Sequence, residues 1–430
     1  MTNRRTELTS RNSAKGFIID VVLMGVVAIF LLASPGARAG AVDLFGFGAR
    51  GTSMGGAVAT TSEGFEAVYY NPAALTLTAD LSFNLGIQGG SFDLAINEQK
   101  SDVRDAPALT IGFGLPVPFG GWLKERISLG FGFVIPQSSV LIADIPRPGE
   151  PSFTLLETRA QAVAIQAAIG VRLSDVVSVG VGILALGELD GGVDVKPKDD
   201  GSLGSTVKSE LVAAYSYSAG LLVRPADWFR ASLSLRSVSY ARFVYPMNVS
   251  LGEDFPLPIP PLNIEGLAQY EPASMNVECS FLLHPDLLMA VGLTWKAWSE
   301  FPNVVEYTAA SPTTSAQPAP GFHDTLVARL GVEGVVSMGD VSVRPRLGLI
   351  YEPTPAAKVQ EFHSYLDNDR WVGSLGLEVR WTFLQLGLSG QWHHLVERSL
   401  TKDASAEDGP ISLRHGGDMF FWLLELGVRL

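Results

Sequence analysis

From Leu81 to its last residue the chain repeats one pattern that leaves few folds open. Apolar residues alternate with small or polar ones, in stretches joined by connections of two very different lengths. A period of two belongs to β-strands with one apolar and one wetter face. It is clear in Leu326, Ala328, Leu330 and Val332 against Val327, Arg329, Gly331 and Glu333. It recurs in Leu384, Leu386, Leu388 and Trp392 against Gln385, Gly387, Ser389, Gln391 and His393. Fourteen strands are expected, at about 81–92, 107–116, 126–136, 159–173, 176–188, 208–223 and 228–238, then 271–283, 287–298, 324–336, 341–352, 370–381, 383–395 and 417–430.

The connections decide between a soluble sandwich and a membrane barrel. After even strands they are short, as in Ser174-Asp175 or His284 to Asp286, with only 117–125 longer. After odd strands they are long: 93–106, 137–158, 189–207, 239–270, 299–323, 353–369 and 396–416. A sandwich has no reason to sort loop length by side. An even number of antiparallel strands, with short periplasmic turns at one end and long loops at the other, is the pattern of a bacterial outer-membrane barrel. The expected class is therefore all-β, a 14-stranded antiparallel transmembrane barrel over residues 81–430, in contact with outer-membrane lipid. Phe420, Trp422, Leu424, Leu426, Val428 and Leu430 alternate to the end of the chain. That ending resembles the signal read by the barrel assembly machinery, although the usual last residue is Phe. Trp228, Phe229, Trp298, Trp371, Trp381 and Trp392 stand near strand ends, as interfacial girdles do.

Composition agrees with a membrane setting: 47% of residues are apolar and 17% charged, where about 25% charged is usual for soluble domains. The longest apolar run, Val21 to Ala33, has thirteen residues, short of the roughly 20 that span a bilayer as a helix. It follows Arg4, Arg5, Arg11 and Lys15 and precedes Ala37-Arg38-Ala39, so residues 1–39 read as a cleavable signal peptide. Its removal takes five Lys/Arg and two Asp/Glu, leaving 26 against 42, a net charge of −16. So acidic a chain is not expected to bind nucleic acid. Cys279 is the only cysteine and no Cys/His cluster has metal-ligand spacing, so neither disulfide, metal nor cofactor is expected.

Residues 40–80 carry no strand pattern. Gly46, Gly48, Gly51, Gly55 and Gly56 suit a compact plug whose backbone approaches its surroundings closely. Ser62, Glu63 and Glu66 open a short helix that Asn71-Pro72 ends. Gly46-x-Gly48-x-x-Gly51 has dinucleotide-fingerprint spacing but not the strand–helix context that motif needs. The run Gly46 to Gly51, then Met54-Gly55-Gly56-Ala57, an acidic stretch and Asn71-Pro72-Ala73 resembles the N-terminal hatch of outer-membrane long-chain fatty acid transporters of the FadL type. The resemblance implies a hatch over 40–80 inside the barrel, an Asn-Pro-Ala turn, and a substrate pocket formed partly by the hatch. It also implies a side door where the third strand kinks. Gly130, Gly132 and Pro136 of that strand are the candidate opening, since glycine and proline mark bends.

Fourteen strands enclose a lumen too wide for side chains alone, and the hatch is its expected filling. Arg172, Arg230, Arg236, Lys296, Arg329, Arg344, Arg346 and Arg380 have inward phase, with Glu278, Glu333, Glu352 and Glu378. Either they form cross-strand ion pairs that stiffen the wall, or one or two arginines hold a substrate carboxylate. Phe45, Phe47, Arg329 and Arg344 are the substrate-binding candidates. The apolar loop 244–264 either gathers hydrophobic molecules or folds over the barrel mouth. His393, with Ser389 and Gln391 in the same phase, is the nearest approach to a hydrolase site, and no enzyme is expected. The expected function is passive uptake of hydrophobic compounds by a monomer, long-chain fatty acids first, with aromatic hydrocarbons or a structural or adhesive barrel as alternatives.

Overall fold

The structure, a computed structural model, describes residues 42–101, 103, 105, 107–136, 150–157, 163–197, 203–249, 262–306, 318–360, 363–402 and 411–430. The expected signal peptide lies outside the described residues, as does most of the apolar loop, 250–261. The first seven barrel strands are β1 (Ser82–Ile96), β2 (Ala108–Pro116), β3 (Ile127–Pro136), β4 (Ala164–Arg172), β5 (Val177–Pro197), β6 (Leu203–Ala226) and β7 (Phe229–Arg236). The second seven are β8 (Ser274–His284), β9 (Leu287–Lys296), β10 (Thr325–Gly334), β11 (Val341–Glu352), β12 (Arg370–Trp381), β13 (Leu384–Lys402) and β14 (Ile411–Arg429). Each pairs antiparallel with its neighbours in sequence, and the ring of 14 closes through β1 and β14, from Ser82↔Arg429 to Ile96↔His415. Closure leaves the spanning wall no free edge, which a bilayer requires.

The alternation sorts side chains in the sense opposite to a soluble protein. Leu326, Leu347, Leu375, Leu388 and Phe420 point outward and are exposed, whereas Arg346, Glu378, Gln391 and Glu425 point inward and are buried. Such a wall is stable where its surroundings are lipid.

Two features depart from the sequence reading. The expected loop 239–270 contains a hairpin, Ser239–Val249 with Leu262–Glu271. Its first strand joins β5 in parallel, Leu189↔Phe243 to Val195↔Val249, so β5 and β6 run to 21 and 24 residues, well past their expected ends. The second departure is in β3. It pairs without register shift with β2, Ala108↔Pro136 to Pro116↔Ser128, and with β4, Ile127↔Val171 to Val134↔Ala164. No kink opens at Gly130 or Gly132, which are paired on both sides, while the ladder to β4 ends at Val134, short of Pro136. Gly130 and Gly132 answer a different need: a Cβ on the first would overlap Val68 and Leu75, and on the second Phe47, all hatch side chains.

Residues 42–77 fill the ring as three short helices, α1 (Val42–Phe45), α2 (Gly48–Ser53) and α3 (Gly64–Tyr70), followed by a 3-10 turn, Pro72–Leu77. Ser62 does not cap α3. Glu63 holds the cap position without a side-chain bond, and the free Gly64 N–H donates to Thr78 Oγ1 at 2.8 Å. The helix ends at Asn71, extended at φ −162° and ψ 107°, as the proline after it demands.

Candidate functional site

The hatch is tied to the wall at three levels. Towards the short turns, Asn71 is fully buried and makes three bonds. Its amide donates to Ala59 O at 3.0 Å and Leu221 O at 3.2 Å, and its Oδ1 accepts from Ala73 N at 3.1 Å. Asn71, Pro72 and Ala73 thus form the turn the sequence suggested, and it fits because Gly220 on β6 has no Cβ to meet Asn71 Oδ1.

At the level of α2 a chain of alternating charges starts on the hatch and ends on the wall. Arg50 grips Glu333 with both arms of its fork, Nε at 2.9 Å and Nη2 at 3.0 Å. Arg346 bridges Glu333 at 2.6 Å and Glu378 at 2.8 Å, and Glu378 also accepts from Arg380. Beside this chain, Glu66 of α3 accepts Arg50 N–H at 2.9 Å, and burial pushes its carboxyl up to about 8. Near α1, Lys296 joins Asp43 at 2.8 Å and Glu352 at 3.0 Å, and Arg370 joins Glu352 at 2.7 Å. Much of the inward charge is therefore a ladder of ion pairs, with the hatch as one of its rungs.

What remains is narrower. Arg329 donates to Gly55 O at 3.2 Å and makes no ion pair among the described residues. It lines a cavity of about 40 Å³ with Asp43, Phe45, Tyr69, Tyr70 and Arg236. Arg344 is not brought to it. Arg329 faces Ile350, six residues along β11 from position 344, or about 20 Å at strand rise. Arg344 instead pairs in register with Glu378. Phe47 is also elsewhere, packed edge-on to Phe65 with centroids 5.0 Å apart.

The cation that does share the cavity is Arg236, at the end of β7. Its guanidinium lies 3.9 Å over the Tyr69 ring and has no ion pair among the described residues. Inward phase was its only signal in sequence, and it shared that with seven other basic residues. A second cavity, of about 30 Å³, is lined by Arg236, Tyr69, Ser216, Ser218, Ser237 and Ser239 among others. Both spaces hold a few waters at most, whereas ligand pockets measure roughly 300–1,000 Å³. As it stands, the hatch blocks the lumen at this level.

His393 Nε2 lies 2.9 Å from Gln391 Oε1, and Ser389 Oγ has no partner among the described residues, so no serine–histidine bond is formed. Towards the long loops, Tyr270, Trp298, Phe301, Phe322 and Tyr365 bury one another as an aromatic cluster, with Phe301 stacked on Phe322 at 4.9 Å.

A sequence profile described as outer membrane protein transport protein (OMPP1/FadL/TodX) matches residues 30–388. No curated protein matches the sequence. Among solved structures, a Pseudomonas aeruginosa FadL homologue is similar at 13% identity and a TM-score of 0.63, covering 91% of this chain and 99% of that one. The P. putida toluene transporter TodX is similar at 13% identity and 0.53, covering 90% and 99%. The Ralstonia pickettii toluene transporter TbuX is similar at 12% and 0.51, again covering 90% and 99%. At such identities these likenesses concern the fold.

Proposed function

The chain belongs to this family of outer-membrane channels for hydrophobic compounds, and we propose that its cargo carries a carboxylate: long-chain fatty acids, admitted passively when the hatch shifts. One observation carries the reading. Two guanidiniums, Arg236 and Arg329, line the hatch cavity with no carboxylate within ion-pair distance among the described residues, although Asp43 and Glu271 lie near enough to Arg236 to favour its charge, in a lumen where Arg50, Lys296, Arg346 and Arg370 each pair directly with one. A buried cation left unpaired is costly, and a guanidinium fork matches a carboxylate. Uptake of aromatic hydrocarbons is the second reading. Phe45, Tyr69 and Tyr70 give the same cavity aromatic faces, and two of the similar structures are toluene transporters.

Calorimetry on the assembled protein in nanodiscs separates the two. Replacing Arg236 and Arg329 together by Gln should weaken oleate binding at least tenfold and leave toluene binding unchanged. Toluene binding with no measurable oleate binding would sink the first reading.

A further inference from the structure

At the short-turn end of the lumen, three cations belong neither to the ladder of ion pairs nor to the hatch cavity. Arg172 ends β4, and Arg224 and Arg230 flank the turn between β6 and β7. They share the inward phase of Ser178, Leu222 and Ser232, which are buried on the strands between them. Arg230 stands six residues along β7 from Arg236, or about 20 Å at strand rise. The two are separate places.

The three cations crowd one another. Arg172 lies near enough to act on Arg224, and Arg224 on Arg230. Like charges facing each other on neighbouring strands weaken a sheet, and the chain has 44 acidic residues against 31 basic ones from which to offset them. Yet none of the three makes an ion pair among the described residues. Arg172 Nη2 donates to Thr76 O of the hatch, and Arg224 Nη2 to Asp175 O at 3.4 Å, both backbone carbonyls. The charged side chains around them are engaged or set back. Asp175 favours the charge of Arg224 only from beyond ion-pair distance. Glu63 and Arg50 act on Arg230, but Glu63 is paired with Arg429 at 3.0 Å and Arg50 with Glu333. Glu278 Oε1 takes the N–H and the hydroxyl of Thr60, each at 2.8 Å.

What the cluster lacks is an acceptor. Nε of Arg172 and Nε of Arg224 are buried without a partner among the described residues. So is the hydroxyl of Ser280, a residue 1% exposed and directly across the β7–β8 ladder from Arg230. Buried donors left unbonded are costly. A carboxylate, with two oxygens and acceptor-only chemistry, satisfies several at once, and the guanidinium fork matches it in shape.

We propose that Arg172, Arg224, Arg230 and Ser280 form an oxyanion site on the periplasmic floor of the barrel, which takes the carboxylate of cargo as it leaves beneath the hatch. The proposal rests on the carboxylate reading and adds a second station to it. Arg172 couples that station to the plug, since the guanidinium that offers a free Nε also holds Thr76 O in the turn after α3.

Crystals grown with 2-bromohexadecanoate test this, because the bromine sits beside the carboxylate and its anomalous signal marks the head. The expected peak lies beside Arg224 and Arg230, is missing with the uncharged methyl ester, disappears when both arginines are replaced by Gln, and remains when both are replaced by Lys. In cells the double Gln variant should slow oleate uptake at least tenfold, with oleate binding at the Arg236–Arg329 cavity retained; Arg230→Gln alone is the second variant if the double one assembles poorly. A peak confined to the hatch cavity, an equal peak with the methyl ester, or a phospholipid head group that the bromo acid does not displace overturns the floor site alone. Uptake unchanged in both variants does the same. Absence of the bromo acid from floor and hatch together overturns the carboxylate reading as well.

Discussion

The two halves of the hatch rest on the same barrel in different ways. The half made of α3 and the turn after it is seated by shape: Phe65 lies against Gly112, Val68 and Leu75 against Gly130, and Pro72 against Gly180, each where a Cβ would collide. The half made of α2 also meets glycines, but it is tied mainly by polar groups. Arg50 holds Glu333, Gln391 Nε2 donates to Thr52 O at 2.7 Å, Ser374 Oγ donates to Ser53 O at 2.9 Å, and Ala49 N–H donates to Glu425 Oε2 at 3.0 Å. Close apolar packing is lost on a small shift and nothing replaces it. Polar ties are exchanged for water at small net cost, since protein and solvent bonds are of similar worth. The comparison assigns α2 as the half that releases under cargo and α3 as the half that stays.

The largest effect is expected where the polar half is broken from inside. Glu333→Leu leaves Arg50 and Arg346 facing each other in a buried site, a loss of about 3–5 kcal/mol. Protease cleavage between residues 50 and 63 should rise sharply while the barrel still migrates as a folded band on unheated gels. If cleavage instead appears first in 64–77, the assignment of halves is reversed. Gly220→Val attacks the other seat by pushing a side chain into Asn71 Oδ1. Overpacking of this kind costs about 1–3 kcal/mol, and hydrogen exchange should quicken in 64–77 more than in 48–56. Asn71→Ala removes the same turn's bonds without the collision, at about 1–3 kcal/mol for the groups left unpaired. It should speed exchange in the same residues, less than Gly220→Val does, with uptake altered and assembly intact.

The smallest effect is one of pH. Burial holds Glu66 protonated up to about 8, against an ordinary value of 4.5. The folded state therefore binds the proton more tightly, so this contribution is full below 4.5 and is lost as pH rises through 8. Glu425, Arg50 and Arg346 are the charged groups that act on Glu66. Protection of the hatch against proteolysis should fall between pH 5 and 9, and Glu66→Gln should flatten the curve. A rise in protection over that range would contradict the assignment.

The barrel was legible because period two and loop length are local properties, and all fourteen strands follow from them. The extensions of β5 and β6 and the inserted hairpin were not. Gly191-Gly192, Pro197 and Pro246 read as loop punctuation, and only the parallel partner, distant in sequence, makes those segments strands. In β3 the glycines were visible but ambiguous, since glycine in a strand marks either a bend or a close approach. The residues that decide it, Phe47, Val68 and Leu75, stand more than 50 positions earlier. Arg236 was hidden for a related reason. Eight basic residues share inward phase, and which of them lack a carboxylate depends on partners from the hatch and from other strands.

The central claim is that the hatch, closed as it stands, must move for cargo to pass. A disulfide between Ala49→Cys and Gly387→Cys tests it, in a background where Cys279 is replaced by Ala. A Cβ built on Gly387 lies 2.8 Å from that of Ala49, so a shift of under about 1 Å gives normal disulfide spacing. Oleate uptake by cells carrying this protein should fall at least tenfold when the pair is oxidised and recover on reduction. Uptake that is the same in the oxidised and reduced protein, with the cross-link shown by mass spectrometry to be complete, would contradict it.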